Sequence, residues 1–258
     1  MLKVRIIPTL LFKGFGLVKG VSFNSWRRIG PILPAVKVYN YRDVDELIVV
    51  DIEAHRSMES IENELLAEIS PHCFVPLTVG GGIRSAKQVD QLLRAGADKI
   101  AINTEAYENP QLITDLAKLY GSQCLVSSID VRKDQDRWLC FSKAGKNFTG
   151  CDVVDWVKQL EDRGAGEILL TSIDYDGTMR GYDLPLLETV VSKVNIPVIA
   201  SGGAGNYQHM IDAVKEAGVS AVAAASMFHF TEQTPEGARK ALESSGINVR
   251  SAYVLQEP

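Results

Sequence analysis

The sequence has no long apolar run. Its longest charge-free stretch, Val194 to Ile211, is broken by Pro197 and several glycines, so no membrane span is expected. No secretory signal is expected either, because Pro8 and Lys13 interrupt the apolar residues near the start. The four cysteines, Cys73, Cys124, Cys140 and Cys151, include no Cys-x-x-Cys pair. That argues against a zinc ribbon or redox dithiol and fits free thiols in a reducing cytoplasm. The four histidines form no His-Glu-x-x-His motif, and neither a metal nor an organic cofactor is expected. A basic excess is missing as well. The net charge of −5 gives no electrostatic reason to expect nucleic acid or an anionic membrane as partner. Local basic sites can still hold phosphate.

The chain is 46% apolar and 23% charged, which is globular rather than disordered chemistry. Short apolar, β-branched runs predict strands buried on both faces at Val4–Ile7, Leu47–Asp51, Phe74–Val79, Lys99–Asn103, Cys124–Asp130, Ile168–Ser172, Pro197–Ser201 and Ala221–Ala225. Segments of helical period lie between them. Ser85–Ala95 opens with a capping serine and stops before Gly96. Asp152–Arg163, Leu184–Val194, Tyr207–Ala217 and Pro235–Ser245 behave similarly. Eight strands alternating with helices imply a parallel sheet. In 258 residues without a Gly/Ser linker, the expectation is one (β/α)₈ barrel domain over residues 1–258.

An internal echo supports the barrel. Val79-Gly-Gly-Gly-Ile83 precedes a helix and then Gly96-Ala-Asp-Lys-Ile-Ala-Ile-Asn-Thr104. Ala200-Ser-Gly-Gly-Ala204 precedes a helix and then Gly218-Val-Ser-Ala-Val-Ala-Ala-Ala-Ser226. The spacing from Gly82 to Gly96 is 14 steps and from Gly203 to Gly218 is 15, and each second glycine leads eight steps to a hydroxyl residue. Two half-barrels of one pattern are expected.

Active sites of such barrels are built by the loops that follow the strands. Gly81, Gly82, Gly202 and Gly203 permit close backbone approach to a ligand, and main-chain N–H groups there can hold phosphate. Asn103-Thr104 and Ala225-Ser226 complete two such places, with Asp176-Gly177 near the second. Alternatively, the glycines only turn strand into helix. Two phosphate sites on opposite sides of one mouth imply an elongated ligand phosphorylated at both ends. Asp130, ending the fifth strand, is a candidate general acid or base, or else a loop cap. Asp51 and Asp174 have weaker, similar claims. Lys19, in the first strand-following loop, is an anion ligand or a solvated loop lysine. Arg5, Glu46, Lys99 and Glu167 fall at or near strand starts, at the opposite end. Buried charges there should pair, as a stabilising plug or as a polar gate across the axis.

Together these motifs resemble the cyclase subunit of imidazole glycerol phosphate synthase, the HisF family, over roughly residues 1–250. The stretches that carry the resemblance include Arg5-Ile-Ile-Pro8, Val18-Lys-Gly20, Asp45-Glu-Leu47, Val79-Gly-Gly-Gly-Ile83, Ile102-Asn-Thr104, Arg163-Gly-Ala-Gly-Glu167, Asp176-Gly-Thr178, Gly181-Tyr-Asp183 and Ile199-Ala-Ser-Gly-Gly-Ala-Gly205. The resemblance implies a barrel that binds a glutaminase at its amino-terminal face. Ammonia made there crosses the barrel and reacts at the carboxyl-terminal mouth with a bisphosphate formimino-aminoimidazole ribonucleotide. Arg5, Glu46, Lys99 and Glu167 match the ammonia gate. Lys19, Asp51, Asn103 and Asp130 match active-site positions.

One position departs from the pattern. The family's first strand ends in a Cys-Leu-Asp type motif whose aspartate is the catalytic partner of Asp130. Here Pro8-Thr-Leu-Leu-Phe12 places Leu11 there, and the following Lys13-Gly-Phe-Gly-Leu17 also departs from the family's Asp-Gly pattern. Leucine transfers no proton, and losing a positioned acid or base typically costs about 10²–10⁴ in rate. Glu53 is a candidate substitute from another strand. The resemblance then implies a divergent paralogue of the kind that bacteria carry in surface-polysaccharide gene clusters. Such a protein supplies ammonia to a sugar amidotransferase. The alternatives are a working histidine-pathway cyclase and a non-catalytic scaffold that activates a glutaminase.

Overall fold

The computed structural model describes residues 3–14, 16–54 and 63–251. Phe15, within the divergent first loop, lies outside the described residues. Among those residues the strands are β1 (Arg5–Lys13), β2 (Gly16–Val21), β3 (Asn24–Gly30), β4 (Leu47–Asp51), β5 (Leu77–Gly80), β6 (Lys99–Ile102), β7 (Leu125–Asp134), β8 (Arg137–Ser142), β9 (Asn147–Asp152), β10 (Glu167–Ser172), β11 (Val198–Ser201) and β12 (Ala221–Ala224). The helices are α1 (Ile32–Tyr41), α2 (Asn63–Ile69), α3 (Ala86–Arg94), α4 (Thr104–Glu108), α5 (Gln111–Tyr120), α6 (Val153–Asp162), α7 (Leu184–Val191), α8 (Tyr207–Lys215), α9 (Ser226–Phe230) and α10 (Pro235–Ser244).

The order β1-β4-β5-β6-β7-β10-β11-β12, closed by β12 pairing with β1, forms an eight-stranded parallel barrel. The expected (β/α)₈ barrel is therefore the fold. Strand alternation sends one set of side chains inward and the other outward. Ile7, Ile48, Ala101, Val126, Leu169, Ile199, Ala221 and Ala223 fill the interior. Their outward neighbours, among them Ile6, Val49, Ile100, Ile168 and Val222, pack in the larger core with helix residues such as Val36, Leu92, Leu116, Val157 and Leu242. Each fully buried aliphatic side chain contributes about 1.5–3 kcal/mol.

The half-barrel echo is also present in backbone detail. Ser85 caps α3 by accepting the Gln88 N–H, and Asn206 caps α8 by accepting the His209 N–H. Asn103 (φ −118°, ψ −83°) and Ala225 (φ −128°, ψ −65°) make nearly the same kink before five-residue helices.

Several boundaries differ from expectation. The third strand starts at Leu77, not Phe74, whose side chain is solvent-exposed; Pro76 supplies no N–H to a ladder. The fifth begins at Leu125, and Cys124 belongs to a 3₁₀ turn. β1 runs past Pro8 to Lys13 because Thr9–Phe12 pair with β4 and Leu11–Lys13 pair with β2. Two antiparallel additions were not foreseen. β2 and β3 extend β1, and β8 and β9 extend β7. Both rise from the carboxyl-terminal rim.

The first hairpin is held over the mouth by a close backbone approach. Gly177 has φ +74°, and a Cβ built on it would sit 2.1 Å from the Gly20 carbonyl oxygen. Ser22 N–H donates to the Asp176 carbonyl at 2.8 Å beside it. Gly177→Ala should therefore lift the hairpin and destabilise the protein by about 1–3 kcal/mol. The expected result is a lower urea midpoint and faster limited proteolysis between Gly16 and Gly30. Unchanged cleavage would show that the hairpin is held elsewhere.

Candidate functional site

Inward positions at the strand ends, and the loops beyond them, enclose a cavity at the carboxyl-terminal mouth. Every expected ligand position lines it: Lys19, Asp51, Gly81, Gly82, Asn103, Thr104, Asp130, Asp176, Gly177, Gly202, Gly203, Ala225 and Ser226. The two Gly-rich turns follow β5 and β11, which stand four strands apart in the ring. They therefore face each other across the mouth. Gly81 (φ +116°) runs so close to Asp51 that a Cβ would lie 2.4 Å from its carbonyl oxygen, so only glycine fits that turn.

Asp130 is buried near the top of β7. Asn103 Nδ2 donates to its Oδ2 at 2.8 Å. Burial, then the nearby charge of Asp176, push its pKa up to about 7, against the lowering effect of the Asn103 hydrogen bond. Asp130 therefore does not stand alone, as the loss of a partner at Leu11 had implied. The neighbouring charge comes from Asp176, in the loop after β10. Leu11 also lines the cavity, opposite Val50 in the β1–β4 register.

Lys19 is not a solvated loop lysine. It is 4% exposed and its Nζ donates to Asp176 Oδ2 at 2.6 Å. Asp51 uses Oδ1 to accept the N–H groups of Glu53 and Ala54 at 2.8 and 3.1 Å. Glu53 does not line this cavity; it lies 3.5 Å from Lys13, in an adjoining pocket that shares Phe23, Trp26, Ile52 and Ala144 with it. Asp174 also falls outside the cavity. It is half exposed, 3.8 Å from Arg132 Nε, and accepts the Lys133 N–H.

Sequence reading missed Thr9, Arg84, Ser128, Lys143, Thr171 and Ser201, which share the cavity wall. Thr9 Oγ1 and Asn103 Oδ1 are buried with no hydrogen-bond partner among the described residues. The signal for Thr9, Ser128 and Thr171 was period-two spacing from the inward residues Ile7, Val126 and Leu169.

At the other end, Arg5, Glu46, Lys99 and Glu167 form one alternating ring. Arg5 bonds Glu46 at 2.7 Å and also pairs with Glu167. Lys99 reaches Glu46 at 3.1 Å and Glu167 at 3.0 Å. Burial works against the Arg5 charge, but the hydrogen bonds and charges of Glu167 and Glu46 outweigh it and raise its pKa. Between the ring and the mouth lies the apolar interior described above.

The histidine biosynthesis protein family matches residues 5–234. The chain is 46% identical over 252 residues to the imidazole glycerol phosphate synthase subunit HisF of Caulobacter vibrioides, covering 97% of each chain. It is 43% and 41% identical over 251 residues to the HisF subunits of Streptococcus mutans and Streptococcus sanguinis, covering 97% of this chain and 100% of each relative.

Because folding raises the Asp130 pKa, the folded state holds this proton where the unfolded chain has released it. The sign follows: stability falls as pH rises from about 4 to about 7 and is flat above. Asp130→Asn keeps an acceptor for Asn103 and removes the titration. The variant should match the wild type near pH 4 and exceed it by roughly 2–4 kcal/mol from pH 7 upward. Urea unfolding of both proteins across this range checks it. A constant difference between them would place the Asp130 pKa in the ordinary range.

Proposed function

The chain belongs to the HisF family of histidine biosynthesis proteins, and from this premise we propose that it relays ammonia from a glutaminase to an acceptor other than the histidine precursor. The glutaminase would sit on the amino-terminal face, around the ring of Arg5, Glu46, Lys99 and Glu167. Ammonia is small and neutral, so the apolar interior between ring and mouth can pass it without the desolvation cost that an ion meets. At the mouth, Leu11 stands where the second proton-transfer group of the cyclase is expected. That substitution, beside an unbroken charged ring, is the observation that carries the proposal. The acceptor class that fits is a sugar amidotransferase, which would build an amidino group on an activated sugar in the cytoplasm.

A second reading is supported by the mouth itself. Both Gly-rich turns remain, and Asp130 near neutrality is suited to general acid or base work. In a working cyclase the turns after β5 and β11 would hold the two phosphates of the ribonucleotide. Asp130 would be left with Asp176, already engaged by Lys19, as the carboxylate whose charge it feels.

Two assays separate the readings. Mixing with a glutaminase of the Cys-His-Glu class should activate glutamine hydrolysis, and no activation would sink the relay. With ammonium and the bisphosphate ribonucleotide, cyclisation should run at least about 10²-fold below that of a HisF subunit with both carboxylates. Leu11→Asp should restore part of it. Wild-type turnover near the rate of such a subunit would return the protein to histidine biosynthesis.

A further inference from the structure

Ammonia released into bulk water takes up a proton, and ammonium has no lone pair with which to attack. A relay of this kind therefore needs its consumer sealed against the exit. The surface around that exit has an unusual composition. From Phe12 to Pro31 the sequence holds no aspartate or glutamate, in a chain whose acids outnumber its bases 32 to 27; Lys19 there is buried against Asp176 and Lys13 pairs with Glu53, so the solvent-facing bases are Arg27 and Arg28. Within it Gly16–Gly30 is the first hairpin, fixed across the mouth by Lys19–Asp176 and by the Gly20–Gly177 approach.

Its outer strand, β3, pairs only with β2 among the described residues and turns Arg27 and Arg28 to solvent. Three large apolar side chains are exposed on the same rim. Val21, 47% exposed, ends β2; Met179 follows Gly177; Phe230 ends α9. Arg27 lies over the Phe230 ring, 4.6 Å from its centroid. Exposed apolar groups framed by arginines make the composition of a recognition surface.

We propose that the hairpin Gly16–Gly30, with Met179 and Phe230, is the docking surface for the enzyme that consumes the ammonia, and that this enzyme presents acidic groups around an apolar centre. The inference rests on the relay reading above. A second copy of this chain is disfavoured because two such basic hairpins repel. Nucleic acid is disfavoured because the chain as a whole is acidic.

The test uses the full-length protein in cells that carry it, with Val21 replaced by the photo-crosslinker p-benzoylphenylalanine. The expected capture is a protein that, once purified, consumes ammonium chloride in its own reaction. Its affinity for Arg27→Glu/Arg28→Glu should fall about 10- to 100-fold, while the same variant activates the glutaminase as the wild type does. If the double reversal fails to activate it, Arg27→Gln/Arg28→Gln takes its place, with a smaller loss expected. Crosslinks only to a second copy or to the glutaminase, no crosslink, or unchanged affinity would each overturn the docking surface. A wild-type protein that does not activate glutaminase removes the relay itself. A wild type that activates it, but whose hairpin captures no ammonia consumer, removes the docking inference alone.

Discussion

Closure of the parallel sheet into a ring is the constraint from which the rest follows. Once eight strands are hydrogen-bonded edge to edge, every second residue of each strand must point at one axis. Arg5, Glu46, Lys99 and Glu167 then meet at one end, aliphatic residues stack above them, and Thr9, Ser128, Asp130 and Thr171 crowd the other. None of these groupings is local in sequence. Arg5 and Glu167 are 162 residues apart, and Lys19 and Asp176 are 157 apart.

The two ends handle charge differently. At the amino-terminal end, two bases and two acids alternate around a square, so each ion faces two opposite charges and burial is offset. At the mouth, Lys19, Asp176 and Asp130 form an unequal group within a wall that also carries Arg84 and Lys143. Lys19 neutralises Asp176, and Asp130 keeps its proton up to about pH 7. An anionic ligand entering the mouth meets a lysine already committed to a carboxylate, so it must compete for that lysine or turn to the main-chain N–H groups, Arg84 and Lys143.

Much of the barrel was legible because its strands are short, β-branched and buried on both faces. The repeated glycines were legible as well, since a turn with φ above zero against a neighbouring backbone leaves glycine little competition. The hairpins were not. Asn24–Gly30 mixes polar and apolar residues on both faces, and its pairing with β2 contains register shifts, so no clean alternation marks it as a strand. Lys19 looked solvated because its burial depends on a carboxylate far along the chain. The pairing of Glu53 with Lys13 was not legible, because it depends on the meeting of β1 with the turn after β4. The proximity of Asp176 to Asp130 depends on the β7–β10 pairing, whose register sets Thr171 opposite Asp130.

The seam between β1 and β12 has a consequence for the order of assembly. It pairs Arg5 with Ala221 and is reinforced where Val4 meets Val249, so nearly the whole chain must be made before its first strand finds both neighbours. Contacts of such long range form slowly. On the ribosome the edge of this strand that β12 will cover stays unpaired until the last strand emerges. That interval is when the nascent protein is most open to misassociation. The same strand carries Arg5 and Thr9, so the charged ring and the mouth are completed together, in the step that closes the barrel.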